Sequence, residues 1–393
     1  MFKNIQNFDP NTPKGRFGFT NFRWSTLFVL DFLFGLSNKK DDQGDLIKRY
    51  ENPRFPGNWF RNIHESLTKK LLQNNKDSYE GTLLLPTIEK EDFTKDFFQL
   101  WDKEVNMPIV VKGYLSEAAV VQETTIESLV KNHGEKEVTF VTKKSEDKNK
   151  NRVGQNVEVA SSTLREYLTD DRYKQNYVNN FYGVLNDEDY REKSRGEEID
   201  DIRNQRSFIS QWFISRTKTS GSALHCASGD NMFLNLHGNK EWFFIDPSYM
   251  PLLKPALSKY GIYCISELQE QLGIEEDFYE ELIKDYPYFK HVPVFRQVLD
   301  PGDLLFNPSN WWHSVRNHSD YTVGCAVRYK ASKPSLNSWT IFTCLILDMV
   351  KHPLRSNLSQ AIRLSMDSKK ARKGLINSIF SSLDKKPKKA PAS

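Results

Sequence analysis

The chain has 393 residues, with 55 Lys and Arg against 51 Asp and Glu, a formal net charge of +4, and 38% hydrophobic and 13% aromatic residues. This composition excludes a disordered chain, a collagen-like fibre and a disulfide-stapled miniprotein, because apolar residues are too many and cysteines too few. The net charge hides an asymmetry: from Lys351 to Ser393 eleven Lys and Arg face only Asp367 and Asp384, which leaves residues 1–350 at about −5 and excludes a basic body built to embrace a nucleic acid. The four cysteines, Cys226, Cys264, Cys325 and Cys344, lack CxxC or zinc-site spacing and are expected as reduced thiols.

Residues 1–95 read as an accessory region. Its apolar stretch from Trp24 to Leu36 carries Asp31 in its middle and is too short to span a bilayer. A buried or groove-docked helix is expected there, with an interfacial membrane anchor as the alternative. A second helical pattern runs near Ile63 to Leu72. No cationic start followed by an apolar run is present, so a cytoplasmic or nuclear rather than secreted protein is expected.

From about Phe93 the pattern changes. Met107 to Tyr114 (MPIVVKGY) predicts a short buried strand ending at Gly113, Ser116 to Val121 starts a helix, and the polar run Lys143 to Arg152 is expected as a solvated loop. Between Phe208 and Tyr329 the runs FISQWFISR, MFLNLHG, EWFFIDP and YTVGCAVRY are short, β-rich and split by Gly, Asn, Asp and Pro. Such punctuation predicts a sandwich or closed barrel rather than an open parallel sheet. A largely helical excursion is expected over 251–286. After Pro334 the pattern turns helical over 339–350, 359–366 and 371–383, and ends in the basic run KKPKKAPAS. The domain reading is therefore 1–95 accessory region, 96–335 barrel with its insertion, and 336–393 helical segment with a basic tail.

Two histidines stand out by their surroundings. His225 lies in SGSALHCASGDNMFLNLHGNKEWFFIDP, and His313 follows 88 residues later in LDPGDLLFNPSNWWHSVRN. A Pro-Gly-Asp turn, a short apolar strand and an aromatic pair before His313 describe a strand, turn and strand that carry one imidazole into a barrel. His64, His133, His291, His318 and His352 read as core or surface residues, and His237 beside Gly238 as structural. Trp311 and Trp312 read as wall and core. Trp212, Phe213 and Arg328 lie on strands flanking the pocket, where alternation buries half of them regardless of function.

These blocks, with MPIVVKGY before them, resemble the JmjC/cupin-like non-haem iron oxygenases that use 2-oxoglutarate, especially the asparaginyl-hydroxylase-like branch, over roughly residues 95 to 335. The resemblance implies a mostly β double-stranded β-helix, or jelly roll, with flanking helices. It implies Fe(II) held by His225 and His313, and 2-oxoglutarate held by Lys240, Ser222 and Asn231. A lysine inside a barrel is otherwise costly, and a dianionic cosubstrate supplies the missing charge.

The departure is at the third metal ligand. A His-x-Asp or His-x-Glu pair puts two ligands on one side of a strand, yet residue 227 is Ala. Three outcomes follow. Chloride takes the position and the enzyme is a halogenase; Asp230 re-aims through a bulge at Ser228 and Gly229 and the enzyme hydroxylates; or the scaffold is a non-catalytic binding or structural module. The substrate is a small molecule or a protein. The C-terminal helices are a candidate homodimer interface, and only the basic tail is a candidate for nucleic-acid or membrane contact.

Overall fold

The computed structural model describes residues 2–331 apart from 3, 13–18, 37, 41–45, 49–51, 74–78, 143–157, 182–187, 219, 228, 258–262, 267 and 269–277. The predicted solvated loop at 143–152, Ser228, the C-terminal helices with their dimer reading, and the basic tail lie outside the described residues.

Nine α-helices are described: α1 (Phe19–Phe34), α2 (Gly57–Gln73), α3 (Lys95–Glu104), α4 (Ala119–Glu123), α5 (Ile126–His133), α6 (Leu164–Thr169), α7 (Glu188–Lys193), α8 (Gly196–Arg203) and α9 (Phe278–Asp285). The strands up to the barrel are β1 (Lys39–Lys40), β2 (Leu46–Lys48), β3 (Leu83–Leu84), β4 (Thr87–Glu89), β5 (Ile109–Lys112), β6 (Glu137–Thr142), β7 (Glu158–Thr163) and β8 (Tyr177–Phe181). Then follow β9 (Ile209–Ser215), β10 (Gly221–Ala227), β11 (Asp230–His237), β12 (Lys240–Ile245), β13 (Pro255–Leu257), β14 (Tyr263–Ser266), β15 (Val294–Leu299), β16 (Leu304–Asn307), β17 (Trp312–Asn317) and β18 (Thr322–Tyr329).

Two large sheets build the body. One has the order β13-β14-β10-β17-β12-β15-β3, the other β4-β5-β16-β11-β18-β9-β8-β6-β7. From β9 to β12, and again from β15 to β18, consecutive strands alternate between the sheets. This is the double-stranded β-helix expected from the sequence, and it brings the inner faces together: the rings of Phe233 and Trp242 meet at 4.8 Å across the interior.

Side-chain alternation in the seven-stranded sheet divides its residues between two cores. Leu224, Cys226, Phe243, Ile245 and Trp312 join Trp24, Phe28 and Leu67 in a core on the outer face. Trp242, Phe244 and Val315 join the main core. Helices α1 and α2 thus cover the back of the sheet that carries both site histidines. On α1, Trp24 and Phe28 are buried while Phe19, Phe22 and Phe34 are exposed, which matches the docked helix. Among the described residues no helix is long and apolar enough to cross a membrane.

Two departures from the sequence reading concern edges. The excursion at 251–286 is mixed rather than largely helical, because β13 and β14 extend the sheet beside β10. A strand with one open side leaves a row of backbone groups unpaired, and this insertion pairs them. Likewise β3 pairs with β15 and β4 with β5, so the sheets recruit strands from before residue 95. Propensity within two- and three-residue segments carries no signal for either.

Two tight turns set the register. Asp303 follows Gly302 and is buried; its carboxylate accepts from the amides of Gly113 and Asp300, both at 2.9 Å, and from Lys112 Nζ at 2.6 Å. Gly238 links β11 to β12 at φ +66°, and a Cβ there would meet the Tyr321 carbonyl oxygen at 2.4 Å. Gly238→Ala is expected to cost roughly 1–3 kcal/mol from the strained conformation, read as a lower midpoint in chemical denaturation.

Candidate active site

His225 and His313 are direct cross-strand partners on the antiparallel pair β10 and β17, and their ring centroids lie 4.2 Å apart. Direct partners share a face of the sheet. Each ring is oriented in the same way, with His225 Nδ1–H donating to the Ala223 carbonyl at 2.7 Å and His313 Nδ1–H to the Trp311 carbonyl at 2.9 Å. A carbonyl only accepts, so Nδ1 carries the proton in both rings and Nε2 is the basic nitrogen. That is the tautomer and the orienting bond typical of metal-ligating imidazoles. Burial holds His225 neutral, its pKa lowered to about 4, and with the help of His225 holds His313 well below the ordinary imidazole value.

Ser222 stands three residues before His225, a spacing that on a regular strand would put it on the opposite face. The register between β10 and β17 slips within this interval, so that Ser222 opposes Val315 while His225 opposes His313. The extra residue is a β-bulge, and it restores Ser222 to the inner face. Gly221 permits the approach, since a Cβ there would lie 2.1 Å from the Val315 carbonyl oxygen.

Lys240 begins β12 and opposes Asn317, four residues along β17 from His313. It is 1% exposed, so the ammonium lies inside the barrel. Its ammonium donates to Asn317 Oδ1 at 2.6 Å and to Thr322 Oγ1 at 3.0 Å. Both partners are neutral, and burial lowers its pKa to about 7. Asn231 on β11 opposes Asn307 and Arg328, and the Asn307 amide lies 3.3 Å from His313 Nδ1. The buried Ser222 Oγ, Asn231 Oδ1 and Asn307 Oδ1 have no hydrogen-bond partner among the described residues, so the chamber holds polar atoms suited to a polar guest.

Ala227 shares the face of His225, two residues on, and presents only a methyl. Asp230 does not replace the missing carboxylate. It begins β11 opposite Tyr329, on the alternate face from Asn231, and is ion-paired with Arg203 of α8 at 2.7 Å, with both side chains at most 2% exposed. Its second oxygen accepts from the Ser309 amide at 2.8 Å. The Arg203 guanidinium lies against the rings of Phe98, Phe306 and Tyr329. Withdrawing Asp230 would strand a buried cation at a cost of several kcal/mol. Among the described residues no three His, Cys, Asp or Glu side chains cluster so as to hold an ion.

The family model of the Cupin-like domain matches residues 95–334. This chain belongs to the Cupin-like domain family. It is 23% identical over 258 residues, 61% of this chain and 58% of the relative, to the bifunctional arginine demethylase and lysyl-hydroxylase psr-1 of Caenorhabditis elegans. It is 29% identical over 87 residues to the arginine-specific demethylase JMJ20 of Arabidopsis thaliana, 22% of this chain and 16% of that protein. It is also 26% identical over 111 residues, 28% of this chain, to HSPB1-associated protein 1 of Homo sapiens, of whose length the chain spans 19%. At family level these relatives agree with the resemblance carried by the two histidine blocks.

Residues of the chamber that sequence reasoning passed over are Asn307, Asn317, Thr322 and Gln211. Each is a common strand-end or strand residue, and only cross-strand register shows that it faces the interior.

The buried Lys240 makes a testable demand. An unfolded lysine keeps its ordinary value near 10.4, so between about pH 7 and pH 10 the unfolded chain binds more protons and stability of the ligand-free protein rises with pH through that window. Lys240→Met is expected to remove that slope and to raise stability at pH 7 by roughly 1–4 kcal/mol, measured by denaturation across pH 6–10.

Proposed function

We propose that this chain is an Fe(II)- and 2-oxoglutarate-dependent enzyme that oxidises a C–H bond, with His225 and His313 as the protein's metal ligands and a solution anion in the position left open at Ala227. The observation that carries this reading is one inner face bearing two imidazoles, each presenting a basic Nε2, together with a fully buried lysine whose partners are neutral. The donors fit the group: two imidazoles suit Fe(II), and Lys240, Ser222 Oγ and Asn231 suit the carboxylates of a small dianion. When bound, ferrous iron and 2-oxoglutarate supply the oxygen-activating chemistry, with the cosubstrate converted to succinate and carbon dioxide.

The chain's own residues do the rest. Lys240 pairs with the distal carboxylate of the cosubstrate and sets its depth in the barrel, with Asn317 and Thr322 holding the ammonium. The Ala223 and Trp311 carbonyls hold the two rings in one orientation and tautomer, while burial keeps them unprotonated. Trp242, stacked on His313 with centroids 5.5 Å apart, and Phe244 wall the chamber against water. Ala227 leaves room and removes a negative charge, which favours an exogenous anion there. A halide in that position leads to chlorination of substrate, and water or hydroxide leads to hydroxylation.

The lack of a third protein ligand among the described residues favours one other reading, a non-catalytic module that binds an anion in the same chamber. Anaerobic titration with iron and 2-oxoglutarate, followed by oxygen, separates the two. A visible charge-transfer band and succinate release are expected for the enzyme, and neither for the module. Chloride is expected to shift the band in the wild type, and Ala227→Asp to abolish that response while tightening iron by about tenfold or more.

A further inference from the structure

Strand β10 faces two ways. Its inner side carries His225 and Ala227, and between them Cys226 turns to the outer core, where it is the direct antiparallel partner of Cys264 on β14. Both side chains are 1% exposed and both are free thiols, joined to each other by a side-chain hydrogen bond. Trp24, Phe28, Leu224, Leu268 and Trp312 share the same apolar cluster. Cys325, the other cysteine among the described residues, lies on β18 in the second sheet.

Direct partners on antiparallel strands hold their Cα atoms about 4.5–5.5 Å apart, within the span of roughly 4.4–6.8 Å that a disulfide bridges. The pairing of β10 with β14 therefore already supplies the separation a bond needs. Register brings the thiols together, since a one-residue slip would send Cys264 to the other face. The ring closed by such a bond runs from Cys226 to Cys264 and contains β11, β12 and β13, so it encloses Asn231 and Lys240. Burial in an apolar core slows both thiols and favours a small, uncharged oxidant over a bulky one.

We propose that Cys226 and Cys264 are a reversible dithiol–disulfide site, closed by hydrogen peroxide, that ties the insertion strand β14 covalently to the strand carrying His225. Peroxide oxidises one thiol to a sulfenic acid and leaves as water; the second thiol then displaces the sulfenic oxygen as another water while the S–S bond forms. Two thiols and one peroxide thus give one disulfide and two waters, and two electrons pass from sulfur to peroxide. The bond removes loop freedom from the unfolded chain and so favours the folded barrel. The thiols lie on the opposite face of β10 from the imidazoles, so the site does not depend on whether the chamber oxidises a substrate.

The test treats the full chain, fully reduced and held in chelator to exclude iron chemistry, with hydrogen peroxide, then blocks the remaining thiols in denaturant and maps peptides without reduction. A linked Cys226–Cys264 peptide is expected, with an intact mass lower by two hydrogens, Cys325 and Cys344 recovered as blocked thiols, and full reversal by dithiothreitol. The urea midpoint of the wild type is expected to rise on oxidation, and that of Cys264→Ala to stay where it was. Sulfinic or sulfonic acid at either cysteine, a link from either to Cys344 or to a second chain, or a pair that stays reduced until the chain unfolds overturns the proposal. So does a linked pair whose urea midpoint fails to rise, since the bond would then strain the sheet instead of tying it. If Cys264→Ala fails to fold, the wild-type peptide map and midpoint decide.

Discussion

The pairing of β10 with β17 is the constraint on which the site depends. It sets His225 directly opposite His313, and the bulge beside it turns Ser222 to the same face. Everything outside that pair maintains it: β13 and β14 occupy the free side of β10, α1 and α2 cover its back, and two backbone carbonyls hold the ring tautomers. A one-residue slip of β10 would turn His225 into the outer core and leave His313 alone on the inner face.

Charge is the second organising fact. The inner faces hold a buried lysine with neutral partners, two neutral imidazoles and an alanine two residues after His225. Asp230 and Glu241 of the neighbouring strands are turned outward and paired with Arg203 and Arg296. Burying Lys240 among neutral partners costs stability, because an ammonium there is poorly solvated.

Much of this was legible in the sequence. The β-rich runs from Phe208 to Tyr329, the helix near Ile63 and the strand in MPIVVKGY have clear periodicity and punctuation, and the structure has elements there. His225, His313 and Lys240 were legible because their flanking blocks are unusual for surface residues. Asp230 illustrates the limit. Its odd spacing from His225 pointed to the wrong face, but only the structure shows Arg203 of α8 claiming both its position and its charge. Arg328 was named merely as flanking the pocket, and its place opposite Asn231 comes from register with β11.

The sequence by itself determined the barrel's strand order of appearance, the two histidine blocks, the lysine after the Gly238 turn and the missing carboxylate at Ala227, because these are local patterns of residue type and spacing. Tertiary structure decided which residues meet: Ser222 with His225 through a bulge, Asn307 with His313 across the two sheets, and Asp230 with Arg203 outside the barrel. Those depend on register and on packing between segments far apart in the chain. Spacing along one strand cannot encode them, since one inserted residue reverses every face that follows.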